Sequence, residues 1–98
     1  MQVISKPVEF LWDKGNKDKN QEKHSVGNTE AEEVFFDNRK VIIRDTLHSD
    51  KEERFIVLGK TKKRRLLYIV FTNRADKIRI ISARDLNIKE RMFYEKSA

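Results

Sequence analysis

Ninety-eight residues with 22 Lys and Arg, 16 Asp and Glu and no cysteine are the material of one ordinary domain, expected to span residues 1–98. The missing cysteines exclude disulfide scaffolds, cysteine-zinc sites and thiol chemistry together, and no apolar run approaches the eighteen or so residues of a membrane helix. The net charge of +6 is lopsided: residues 1–49 hold 8 basic and 9 acidic side chains, residues 50–98 hold 14 and 7, so the field that attracts polyanions belongs to the C-terminal half.

The opening segment MQVISKPVEFLWD lacks the charged head and long apolar stretch of a secretion signal, which makes a cytoplasmic chain the expectation. Within it, Val8 to Trp12 is short, apolar and aromatic enough for a first strand, and Asp13 can cap a helix behind it. That helix, Asp13 to His24, has no apolar residue and carries Gly15 near its start, so no buried stripe holds it in place. Asn20 and His24, one turn apart, are expected to fix it through hydrogen bonds to the rest of the fold.

Thr29 and Glu32 have the spacing of a capping box, and Ala31, Val34 and Phe35 then line one side of a short helix over about residues 30–36. From Lys40 the period changes. KVIIRD, ERFIVLGK, LLYIVFTNR and KIRIISAR are β-branched and aromatic runs separated by turn segments, and they predict an antiparallel meander. Phe55 to Leu58 and Leu66 to Phe71 are apolar without clean alternation, as expected where both faces of a sheet are covered. Asn87 and Glu90 repeat the capping spacing ahead of a last helix with Ile88 and Met92 on one face. The expected architecture is α+β in the order β-α-α-β-β-β-β-α, a curved antiparallel sheet packed against helices.

Basic residues dominate the candidate chemistry. Residues 60–65 hold five basic side chains of six, so that Lys62, Lys63 and Arg64 read equally as a solvated turn or as phosphate contacts. Arg54, Arg74, Arg79 and Arg84 lie on or at the ends of predicted strands. Arg79 alternates with Ile78 and Ile80, whereas strict parity puts Arg84 on the face of Ile80. A bulge or strand end at Ser82 or Ala83 is needed to bring Arg84 beside Arg79. Two histidines, His24 and His48, with scattered carboxylates make no convincing metal site, and no metal or cofactor is expected. Either histidine suits proton transfer near neutral pH. Glycine-rich phosphate loops, G-x-S-x-G and HExxH motifs are missing from the sequence, which sets aside nucleoside-triphosphate and serine-hydrolase chemistry.

Taken in order, Phe10, Trp12, Asp13, Gly15, Asn16, Lys19, Asn20, Lys23, His24 and Val26, then Glu32 to Phe36, His48 with Ser49, Glu52 to Phe55, Gly59 and Ile78 to Arg84 resemble the BrnT family. These are RelE-like ribonuclease toxins of bacterial type II toxin-antitoxin pairs, and the resemblance runs from Phe10 to about Tyr94. It implies a RelE-like fold, RNA as substrate, a cognate ribbon-helix-helix antitoxin through which DNA is bound indirectly, and the ribosome as a further candidate partner. It also implies metal-free cleavage through the ribose 2′-hydroxyl. In that chemistry Arg79 and Arg84 attend the scissile phosphate with Arg54 in support. His24 moves the proton with Glu53 as substitute, and Lys19 and Arg74 steer the RNA backbone. The alternative is a non-catalytic basic module that binds nucleic acid or antitoxin and acts as a co-repressor.

Overall fold

The computed structural model describes residues 9–12, 26–48 and 52–97. The helix predicted over residues 13–24, and with it Lys19 and His24, lies outside them. The described elements are β1 (Glu9–Leu11), α1 (Asn28–Glu33) running into a 3-10 turn (Val34–Phe36), β2 (Val41–Arg44) and a second 3-10 turn (Thr46–His48). There follow β3 (Phe55–Lys60), β4 (Leu66–Arg74), β5 (Lys77–Asp85) and α2 (Ile88–Ser97). The fold is α+β, and β2 to β5 form the expected antiparallel meander.

The sheet as a whole is mixed, which corrects the purely antiparallel expectation. Its order is β1-β5-β4-β3-β2, and β1 runs parallel to β5 with Phe10 opposite Ile78. The meander leaves the outer edge of β5 open, and β1 closes that edge, its Phe10 and the Trp12 that follows it packing against the core. Phe10 meets Phe35 edge to face at 5.3 Å, and the Trp12 indole N–H donates to Glu32 Oε2 at 2.7 Å.

That last bond also explains a shift at α1. With Glu32 committed to Trp12, the helix starts earlier than the Thr29 and Glu32 spacing suggested. Gly27 is its N-cap, and the Gly27 N–H is received by Glu30 Oε1 at 3.2 Å. Ala31, Val34 and Phe35 are buried as expected, against Val57, Leu67, Ile69, Phe71, Ile78, Ile80 and Ala83 of the sheet. Rings run through this layer from Phe35 to Phe71 (5.0 Å, edge to face) and from Phe71 to Phe55 (5.6 Å, stacked). Gly59 allows β3 to pass close beneath the 3-10 turn: a Cβ there would lie 2.7 Å from Val34 Cγ1.

The last helix has the predicted cap, with Glu90 N–H donating to Asn87 Oδ1 at 2.8 Å and Asn87 N–H to Glu90 Oε1 at 3.0 Å. Its seating differs from expectation. Ile88 and Met92 are exposed, and Tyr94 is the buried residue of the helix. Polar contacts decide this orientation. Glu90 pairs with Arg84, and the Tyr94 hydroxyl donates to Asp37 Oδ2 at 2.6 Å. Between these two ties, Ile43, Ile56, Leu58 and Tyr68 of the sheet and Phe93 of α2 line a cleft of about 250 Å³.

Asp37 also receives the backbone N–H groups of Lys60 (2.9 Å) and Arg39 (3.0 Å). Burial pushes its carboxyl up, but these donors, the Tyr94 hydroxyl and the Lys60 charge outweigh burial and hold it below the usual value. Tyr94 is pushed up to about 12, first by burial and then by its bond to the Asp37 charge. A raised pKa contributes stability that is present below the unfolded value near 10 and is lost as pH climbs toward 12. Tyr94→Phe is therefore expected to cost roughly 1.5–3 kcal/mol at neutral pH, a gap that closes between about pH 10 and 12. Urea midpoints of the two proteins across that range measure it; a gap that stays constant would contradict the assignment.

Candidate active site

A bulge in β5 sets the geometry of the arginines. Val70 pairs with Ser82 and Phe71 with Ile80, which leaves Ile81 as the extra residue. Before the bulge Ile78 and Ile80 face the helix layer, and after it Ala83 does. Arg79 and Arg84 consequently share the opposite face, Arg79 beside Thr72 and Arg84 beside Tyr68. The condition set by parity is met, with the bulge at Ile81 and not at Ser82 or Ala83. Four register steps separate the two arginines, about 13 Å along the strand.

Arg79 lies at the end of the sheet where β3 begins and β4 ends, and its side chain is only 16% exposed. Its Nη1 is 3.3 Å from Glu52 Oε1, while Arg74 Nε is 3.7 Å from Glu52 Oε2. One carboxylate thus lies between two guanidinium groups. The segment carrying it is fastened from both sides. The buried Thr72 hydroxyl donates to the Glu53 carbonyl at 2.6 Å, and Asp45 N–H donates to the Arg54 carbonyl at 2.8 Å. Glu53 turns to Arg44 (Oε2 to Nε, 3.1 Å), both side chains being more than half exposed, a kind of pair worth at most about 1 kcal/mol. The 3-10 turn ending at His48 follows β2 at this same end.

Arg84 has a different environment. Its Nη1 and Nη2 fork onto Glu90 Oε1 and Oε2, each at 2.9 Å, Nη1 also donates to the Asp85 carbonyl, and the guanidinium stacks 3.9 Å from the centre of the Tyr68 ring. The Glu90 bond, first among the causes and opposed by burial, raises the Arg84 pKa, and the same bond lowers that of Glu90. This arginine ties α2 to the sheet.

The basic loop lies at the far end of β4, roughly 27 Å from Arg74. Its backbone is fixed: Thr61 N–H to Arg65 O (2.8 Å), Arg64 N–H to Thr61 O (2.9 Å) and Lys62 N–H to Glu33 Oε1 (3.1 Å). Arg65 is structural, forked onto Asp85 at 2.7 and 3.0 Å and reaching Glu30 at 3.4 Å. Lys62, Lys63 and Arg64 are exposed, and Arg64 holds φ at 68°. That left-handed position of a three-residue hairpin loop normally favours glycine, and a side chain there costs about 1 kcal/mol. Arg64→Gly is expected to raise the thermal midpoint by a few degrees. A lowered midpoint would contradict this reading of the turn.

Of the residues singled out from sequence, the fold brings Arg54, Arg74, Arg79 and Glu53 to one end of the sheet. Arg84 stands further along, and Lys62, Lys63 and Arg64 are at the other end. Glu52 joins the first group although parity reasoning passed over it; the signal was the EERF run, in which two adjacent carboxylates enter β3 and turn to different partners. Among the described residues no group of three or more His, Asp and Glu side chains could hold a metal ion, and no helix is long and apolar enough to cross a membrane.

Two guanidinium groups around a carboxylate on the rim of the sheet present the planar donors that match phosphate oxygens. The model of the ribonuclease toxin BrnT of type II toxin-antitoxin systems matches residues 12–90, and the chain belongs to this family. It is a ribonuclease toxin, with RNA as substrate and an antitoxin as partner. No curated protein matches the chain.

Proposed function

We propose that this single domain, with a RelE-like fold, cleaves RNA in the cytoplasm without a metal ion, using the ribose 2′-hydroxyl as nucleophile, at the Arg79 end of the sheet. The observation that supports this best is the convergence of Arg79 and Arg74 on Glu52, 3.3 and 3.7 Å away, on a segment anchored by Thr72 and Asp45. Arg79 takes the scissile phosphate with Arg54 in support, because a planar fork matches two phosphate oxygens and stabilises the charge added in the transition state. Arg74 steers the strand. Arg84, about 13 Å away and engaged by Glu90, suits a neighbouring phosphate of the same RNA, and Lys62, Lys63 and Arg64 extend the electrostatic footprint. Lys19 keeps its proposed role as backbone contact, and His24, with Glu53 as its substitute, its proposed role in proton transfer. The antitoxin in this reading is a ribbon-helix-helix protein that carries the pair to DNA.

Incubation of the purified chain with a defined single-stranded RNA in excess EDTA tests the proposal. Cleavage leaving 2′,3′-cyclic phosphate ends is the expected result. Cleavage that requires added divalent metal, or none by folded protein that binds the RNA, would overturn it.

A further inference from the structure

Metal-free cleavage of this kind needs a group that removes the 2′-hydroxyl proton, and the arginines cannot be that group because they stay charged. We infer that Glu52 is the catalytic base. The inference rests on the reading of the chain as a metal-free ribonuclease and names Glu52, in place of Glu53, as the carboxylate that accepts the proton.

Three observations converge on Glu52. First, of the two adjacent carboxylates only Glu52 faces the arginines proposed to hold phosphate: Glu53 turns away to Arg44 at the sheet edge. Second, Glu52 is two-thirds shielded from solvent, whereas Glu53 is mostly exposed, so Glu52 acts where water competes less. Third, its position is held by hydrogen bonds to the neighbouring backbone, Thr72 to Glu53 and Asp45 to Arg54, and so does not depend on the ion pairs themselves. Among the described residues, the charged groups facing it from packed elements are Arg79 of β5 and Arg74 of β4, and on its own segment Glu53 and Arg54 follow it.

The arrangement also explains how the base becomes active. In the free protein the Glu52 carboxylate occupies the guanidinium N–H groups that a phosphate would use. A phosphodiester arriving at Arg79 and Arg74 replaces it as their anionic partner and leaves the carboxylate free to accept a proton. The step then balances as follows. Glu52 accepts the proton of the 2′-hydroxyl, the 2′-oxygen forms a bond to phosphorus, and the bond from phosphorus to the 5′-oxygen breaks. The electron pair leaves with the 5′-oxygen, which takes a proton from the proton-transfer group of that reading or from water. The products are a 2′,3′-cyclic phosphate and a 5′-hydroxyl, and Glu52 returns its proton to solvent.

Single-turnover cleavage in EDTA by wild type, Glu52→Gln and Glu52→Asp, across pH and with RNA affinity measured alongside, tests this. Glutamine keeps the length and an oxygen for Arg79 but accepts no proton. Glu52→Gln is expected to lose 10²-fold or more in rate, to bind RNA within about threefold of wild type, and to lose the acidic decline in rate that a catalytic base imposes. Glu52→Asp keeps that decline at a reduced rate. Glu52→Gln cleaving within threefold of wild type, or retaining the acidic decline, would overturn the assignment, as would loss of activity explained by weakened RNA binding alone. A wild-type chain that needs metal overturns the ribonuclease mechanism itself, a separate outcome.

Discussion

Arg79→Ala is expected to slow single-turnover RNA cleavage by roughly 10²- to 10³-fold, the cost of removing one fixed donor to transition-state charge. The argument is positional. Arg79 projects from a strand paired on both sides, between Leu11 of β1 and Thr72 of β4, and its side chain is 16% exposed, so its guanidinium is held in place before substrate arrives. Arg79→Lys should recover only part of the rate, since an ammonium keeps the charge and loses the planar fork. Circular dichroism and the thermal midpoint should stay near wild type. The anionic Glu52 keeps Arg74, and the face on which Arg79 stands is not the one that carries the main core. A rate within threefold of wild type for the folded alanine variant would remove Arg79 from the site.

The largest effect on stability is expected at Phe71. It is fully buried, it stacks on Phe55 and meets Phe35 edge to face, and so it joins the helical layer to the centre of the sheet. Phe71→Ala should cost about 3–5 kcal/mol, the sum of lost transfer energy and an unfilled cavity. Domains of this size are stable by only about 5–15 kcal/mol, so the variant would sit near the threshold of folding. Its urea midpoint should fall with little change in slope. A loss below 1 kcal/mol would mean that the core refills the space.

The strands β2 to β5 were legible because their signal is local: β-branched and aromatic runs bounded by turn residues. The parallel pairing of β1 was not, since Phe10 finds Ile78 near the other end of the chain and nothing in either segment encodes direction. Long-range polar contacts displaced two helix readings. Trp12 claims Glu32 and moves the start of α1, while Arg84 and Asp37 claim Glu90 and Tyr94 and turn Ile88 and Met92 outward. The bulge, by contrast, left a trace. Apolar residues at Ile78 and Ile80 followed by Ala83 break the spacing of two, and that break is the signature of an inserted residue. The site was legible as a set of arginines but not as a constellation. Charge and residue type single out Arg54, Arg74 and Arg79; only the fold separates Glu52 from Glu53 and sets Arg84 apart.

The central claim is that the 2′-hydroxyl beside the cut phosphate is the nucleophile, with protein side chains as its sole assistants. It is tested most directly with a defined RNA carrying one 2′-deoxy nucleotide immediately 5′ to a cleaved bond, incubated with the purified chain in excess EDTA. The account predicts that cleavage at that bond disappears while other bonds in the same RNA are cut at unchanged rates. Cleavage of the deoxy-substituted bond at the original rate would contradict it.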